Sequence, residues 1–276
     1  MKKLLTLCLL PLVLACGKLP VSLGTAVEGT MKAVEAFRPI SESEEYYLGR
    51  AVAANILQRY KPWKNEAWTR HVNSIGLLLA YRSDRPEIFG GYHFAILDSD
   101  EINALSAPGG IVMLTRGLIR TAANEDELAA VIAHEITHLV LRHPTKAVKS
   151  QRVKALAMFG AKELAAGGNE IVNVFKDSVL DVTGTLIDKG YSRDQEYDAD
   201  AGAARLLARC GYCPRALGSM LEKLQDRETR KMAVFSAHPK AADRCRNVQK
   251  AISADKSAVS SQRTRRFKLL QAQVGI

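Results

Sequence analysis

Asn124-Glu125-Asp126-Glu127-Leu128-Ala129-Ala130-Val131-Ile132-Ala133-His134-Glu135-Ile136-Thr137-His138-Leu139-Val140-Leu141-Arg142 decides how the rest of this sequence is read. It opens with a cap residue and three acids, which suit the positive end of a helix dipole. Apolar residues at Leu128, Val131, Ile132 and Ile136 then predict a core-type helix to about Arg142. Inside that apolar run sit two histidines four residues apart and a glutamate beside the first. On a helix, positions i and i+4 share a face, so both imidazoles reach one point. Polar groups placed among core residues need partners. A metal ion held by His134 and His138 supplies one, and Glu135 is then placed to hold a water beside it. Zinc in such a site polarises a carbonyl and lowers the pKa of a water from about 15.7 toward about 7. Glu135 is the expected general base, taking the water's proton and passing it to a leaving amine.

Working outward, a zinc site needs a third protein ligand. A histidine six residues past His138 would supply one pattern, but that position is Pro144. His143 is one position short and reads as a surface or supporting residue. Glu163, Glu170 and Glu196 are the candidates further on. Glu196 alone has an acid four residues later, in Glu196-Tyr197-Asp198-Ala199-Asp200, where Asp200 can accept the free N–H of a metal-bound histidine.

The flanks give the architecture. Ser41 to Glu45 cap a helix running to about Tyr60, and residues 64–80 form a second helix with Trp68, Val72 and Ile75 on one face. Residues 92–97 and 111–115 read as strands, with turn chemistry at 106–110, giving a small sheet with a hairpin. Residues 145–190 are helical and lie between the two halves of the metal site. Their basic stretch, Lys146, Lys149, Arg152 and Lys154, reads first as a solvated face. Further helices are expected at 191–209, 215–228 and 239–253, followed by a basic tail at 253–276. The fold class is α+β, mainly helical.

The chain has 276 residues, 47% hydrophobic and 25% charged, which supports a packed core rather than disorder. Residues 1–15 read as a signal peptide: two lysines, then an apolar run too short to span a bilayer. Val13-Leu14-Ala15-Cys16 resembles a lipobox, making Cys16 the expected lipidation site and first mature residue, with 16–40 as a tether. Removing Lys2 and Lys3 lowers the net charge from +10 to 37 − 29 = +8. No nucleic-acid-binding signature accompanies that charge, so nucleic acid is not an expected partner. Gly17, where an inner-membrane retention signal would place Asp, leans toward the outer membrane. An oxidising compartment makes a disulfide from Cys245 to Cys210 or Cys213 the preferred reading of the remaining cysteines.

Four separated motifs now agree. His134-Glu135-Ile136-Thr137-His138, then Ser192 to Asp200, then Ala237-His238-Pro239, with Arg244 six residues past that histidine, together resemble metallopeptidase family forty-eight, the gluzincins that include CAAX prenyl proteases. The periplasmic lipoprotein members are the nearest likeness. Asn103-Ala104 with Pro108-Gly109-Gly110 is similar to the family's segment for binding extended substrate. The resemblance covers about 41–252 and implies a zincin-type domain with one Zn2+ per chain. It implies His134, His138 and Glu196 as ligands, Glu135 as base, and Asp200 paired with Arg244. It gives His238 the role of stabilising the oxyanion or capping the metal at rest. It also implies that Asn103, Ala104, Gly109 and Gly110 contact substrate at a sheet edge, placed near 111–115. The function expected is quality control of misfolded or misassembled envelope proteins, with an outer-membrane assembly factor carrying a latent zinc site as the alternative. Two departures matter. No tetratricopeptide array follows residue 252, so partner recruitment through such repeats is not expected. Ser106 stands where many relatives have a larger apolar residue.

Overall fold

The computed structural model describes residues 39–146, 170–229, 241–252 and 257–273. The expected signal peptide, Cys16 and His238 lie outside the described residues, as do Glu163, Lys149, Arg152 and Lys154. Two helices come first, α1 (Glu42–Arg59) and α2 (Glu66–Tyr81). Ser41 starts α1 with a reciprocal cap: its hydroxyl accepts from the Glu44 N–H, and the Glu44 carboxylate accepts from the Ser41 N–H. Strands β1 (His93–Leu97), β2 (Ala104–Ala107) and β3 (Ile111–Thr115) follow. Next come the short α3 (Arg116–Thr121), the metal-motif helix α4 (Glu125–Val140), and α5 (Glu170–Gly184), which ends in a π turn at Thr185–Lys189. The last four helices are α6 (Arg193–Arg209), α7 (Arg215–Thr229), α8 (Ala241–Ile252) and α9 (Ser261–Gln273).

The sheet order is β1-β3-β2, with β1 parallel and β2 antiparallel to β3. This corrects the expectation of a substrate edge near 111–115. Both sides of β3 are taken: β2 pairs back through the hairpin, and β1 pairs His93 with Ile111 on the other side. The outer strand next to α4 is β2, which follows directly on Asn103. The hairpin also fixes the glycines. Gly109 and Gly110 have φ of 70° and 86°, a region that strains side-chain-bearing residues. A Cβ on Gly109 would sit 2.7 Å from the Tyr46 Cα, so this turn packs on α1.

Alternating residues send the sheet's two faces into two cores. Phe94, Ile96, Val112 and Leu114 join Trp68, Ile132, Leu207, Met220 and Phe267 in the larger one. Leu97, Leu105 and Met113 join Leu48, Val52, Val182, Leu186 and Tyr191 in the smaller one, under α1 and α5. Helix α4 lies in the larger core, packed on α2, β2, α6 and α7.

The stretch read as a basic tail is a docked helix in its described part. In α9, Phe267 is fully buried and meets Trp68 edge to face, with centroids 5.4 Å apart. Its arginines clamp the first turn of α4. Arg263 holds Asp126 through Nε at 3.0 Å and Nη2 at 2.8 Å, and Arg266 holds Glu125 through Nε at 2.9 Å. Both carboxylates are fully buried, so these pairs offset a desolvation cost that would otherwise disfavour the helix start. The expected disulfide is absent, and all three thiols are free. They point apart: Cys210 Sγ faces the Leu78 carbonyl, Cys213 Sγ faces the Ser257 carbonyl, and Cys245 lies in the core on α8.

Phe267→Ala is expected to cost about 3–5 kcal/mol in a urea melt, as a large buried side chain lost from a packed site. Leu269→Ala, two residues on and 57% exposed, is expected to cost under about 0.5 kcal/mol.

Candidate metal centre

Helix α4 offers His134 and His138 on one face, and α6 offers Glu196 from its first turn. Ser192 starts α6 with a reciprocal cap on Gln195, which fixes where Glu196 falls. The two helices cross closely because α6 is small at the contact. Ala199 and Ala203 are fully buried, and a Cβ on Gly202 would lie 2.3 Å from the Thr137 methyl. That approach brings Glu196 under the two imidazoles.

The donor atoms converge. His134 Nε2 lies 3.0 Å from His138 Nε2, and the two nitrogens lie 3.5 Å from Glu196 Oε2 and Oε1 respectively. Two nitrogens and an oxygen each about 2.0–2.1 Å from a tetrahedral ion would sit about 3.3 Å apart, so the triangle fits a small divalent metal. All three residues are buried, His138 and Glu196 completely.

Each histidine is oriented from behind. Asp200 Oδ1 accepts from His134 Nδ1 at 2.9 Å, leaving Nε2 to face the common point. His143 Nδ1 lies 2.9 Å from His138 Nδ1. His143 is therefore a buried support for His138. Arg142 makes the contact possible: its φ of 54° turns the chain back under α4. Tyr191 stacks on the other face of His138, with centroids 4.1 Å apart and planes 19° apart. Sequence reading missed Tyr191, whose only signal is its place just before the Ser192 cap.

Arg244, from α8, ties the cluster together. Its Nε and Nη2 hold Asp200 at 2.9 and 2.6 Å, and its Nη1 holds Glu196 at 2.9 Å. The resemblance implied the Asp200 pair; the Glu196 contact is new. Glu135 is buried beside them. Ionised, Glu135, Glu196 and Asp200 against Arg244 give 1 − 3 = −2, a charge that one divalent cation balances. The protonation equilibria follow from the same charges. Burial would lower the His134 imidazole, and Arg244 would lower it further, but Asp200 and Glu196 outweigh both and raise it to about 9. Burial would raise the Asp200 carboxyl, yet Arg244 and His134 hold it below the usual carboxylate range. Burial takes His143 down to about 4, with Lys146 adding to the shift, which keeps that ring neutral near pH 7.

Asn103 stands at the head of β2, buried, with no hydrogen-bond partner for its Oδ1 among the described residues. Ala104 is buried on β2, facing the larger core. Gly109 and Gly110 are instead explained by the turn against α1.

Asp200→Asn is expected to weaken metal binding about 10–100-fold in a chelator competition titration. Arg244→Met leaves two buried carboxylates without their cation and is expected to cost about 3–5 kcal/mol in a melt of the metal-free chain.

Comparison with known proteins agrees with this geometry. The model of peptidase family M48 matches residues 66–252. The beta-barrel assembly-enhancing protease of Escherichia coli K12 is 31% identical over 183 residues, which is 62% of this chain and 36% of that protein. Metalloprotease LoiP of the same organism is 30% identical over 165 residues, 59% of this chain and 64% of that one. A protease HtpX homolog of Nostoc is 32% identical over 142 residues, 46% of this chain and 47% of that one. The alignments thus span about a third to two thirds of these relatives. With a matched family domain enclosing a buried His-His-Glu triangle, the chain belongs to peptidase family M48.

Proposed function

We propose that this chain is a zinc-dependent endopeptidase of the bacterial cell envelope, tethered by lipid at Cys16, that cuts misfolded or misassembled envelope proteins. The observation that carries the chemistry is the buried triangle of His134, His138 and Glu196, with Nδ1 of each histidine already tied by Asp200 or His143. Two imidazoles and a carboxylate suit zinc. Zinc, when bound there, supplies Lewis acidity toward a carbonyl oxygen and a water.

The protein's own groups do the rest. Glu135 takes the proton of the attacking water on a carboxylate oxygen and delivers it to the leaving amine nitrogen. Arg244 keeps Glu196 and Asp200 in place while that charge moves. Asn103 Oδ1, buried without a partner among the described residues, is placed to accept a backbone N–H of an extended chain lying along β2. Backbone recognition asks little of sequence, which suits a substrate defined by being unfolded. His238 is assigned to the oxyanion, or to the metal's open position at rest.

The envelope setting rests on the signal-like N-terminus and on the named relatives. No helix of the described residues is long and apolar enough to cross a membrane. The outer membrane is favoured by Gly17 after Cys16. The alternative role, an assembly or chaperone-like factor with a latent zinc site, draws on the name of the assembly-enhancing relative.

Glu135→Gln is expected to lower casein degradation by about 100-fold or more while zinc content stays at one per chain by mass spectrometry. If that variant restores every phenotype of a deletion strain, the assembly-factor role replaces the proteolytic one. Cys16→Ala is expected to release the protein from the membrane pellet and end its labelling by a palmitate analogue.

A further inference from the structure

Helix α1 is apolar on two sides, and the core uses one of them. Leu48, Val52 and Ile56 face inward, into the smaller core. On the other side Tyr47, Arg50, Ala54 and Leu57 are exposed, and at 3.6 residues per turn they fall within an arc of about 80°. The three acids of the first turn, Glu42, Glu44 and Glu45, lie outside that arc. Phe89, from the loop before β1, extends the face. Its ring meets Tyr46 edge to face with centroids 5.3 Å apart, and Tyr47 does the same at 5.3 Å. Tyr47 is 60% exposed and Phe89 46%. We propose that this face of α1, together with Phe89, rests on a lipid bilayer at the depth of the headgroups and so holds the protein in one orientation on the membrane.

Three observations select lipid as the occupant. First, the aromatic cluster is built into the fold. Gly90 has φ of 80°, and a Cβ there would collide with the Tyr46 ring, so the turn that carries Phe89 is closed down on α1. Second, the chemistry of the face matches the headgroup level. There an aromatic ring meets the upper acyl chains while an arginine meets lipid phosphate. Arg50 is exposed, donates to the Tyr46 hydroxyl at 3.1 Å and has no carboxylate partner among the described residues. The acids nearby do not oppose a phosphate, because Arg85 engages Glu42 at 3.2 Å and Glu45 at 3.0 Å. Third, the place is right. The described chain begins at Pro39 and enters α1 at Glu42, so a lipid on Cys16 joins the fold within two turns of Tyr47. To that extent the proposal rests on the lipid-tether reading. Helix α1 precedes the segment 66–252 matched by the family, so the face lies apart from the matched domain. It is still coupled to that domain. A Cβ on Gly49 would collide with the Pro108 carbonyl oxygen, so the hairpin between β2 and β3 packs directly on α1. Seating α1 on lipid therefore sets the height of β2 above the bilayer, which suits substrates that emerge at a membrane surface.

Tryptophan reporters in the full chain, purified as bacteria process it, separate this proposal from the tether reading. Tyr47→Trp and Leu57→Trp each place a reporter on the face. Leu269→Trp is the control, because α9 packs on the larger core, across the sheet from α1. Trp63 and Trp68 are common to all three chains and to the unsubstituted one. Each chain is mixed with vesicles of phosphatidylethanolamine and phosphatidylglycerol brominated in their acyl chains. Relative to the unsubstituted chain, emission is expected to fall by about half for Tyr47→Trp and Leu57→Trp and by under about a tenth for Leu269→Trp. Casein degradation is expected to stay unchanged in all three. No quenching at 47 and 57, or equal quenching at all three positions, would overturn the proposal. Labelling of Cys16 by a palmitate analogue reads the tether apart from the face. Label without quenching at 47 and 57 keeps the tether and removes the lipid-resting face, and quenching without label does the reverse. A photocrosslinker at position 47 that forms a protein adduct in cells, with no quenching in vesicles, would assign the face to a protein partner instead.

Discussion

Three carboxylates buried beside a single guanidinium form the constraint around which this molecule is organised. Glu135, Glu196 and Asp200 all lie in the interior, and Arg244 is the cation that touches two of them. A cluster of that charge tolerates little displacement, because an ion stripped of water and shifted from its partner costs several kcal/mol. The helices that bring it together are correspondingly exact in their starts and crossings. Asn124 and Ser192 cap α4 and α6, Gly202 lets the two helices touch, and α8 delivers Arg244 from the far side. The metal that this charge invites completes a balance the protein has already set up.

Much of this was legible in the sequence because it is local. The i, i+4 spacing of His134 and His138, and of Glu196 and Asp200, depends only on helix geometry. The capping residues mark helix starts within a residue or two, so α1, α2, α4 and α6 fall where the pattern predicts them. The link between Asp200 and Arg244 was not readable from spacing; it came from family resemblance alone.

What the sequence hid is non-local. Nothing in Ile111–Thr115 says whether one neighbour or two will pair with it, and β3 is central because β1 pairs on one side of it and β2 on the other. His143 looked one residue short because the ligand pattern wants a histidine at position 144; the left-handed Arg142 turns it onto His138 instead. The residues after 252 read as a basic tail because arginine is usually exposed. Two of those arginines instead answer acids 137 and 141 residues earlier. That helix lies beyond the segment 66–252 matched by the family.

The α9 clamp bears on how the enzyme comes into being. A chain threaded N-terminus first presents its catalytic motif long before Arg263 and Arg266 exist. Until they arrive, Glu125 and Asp126 must either stay in water or enter the core without counter-ions, so the first turn of α4 has no settled home. The start of the metal-motif helix and the docking of α9 are therefore coupled through these two buried ion pairs. A lesion in α9 is thus felt at the first turn of the metal-motif helix, far from it in sequence.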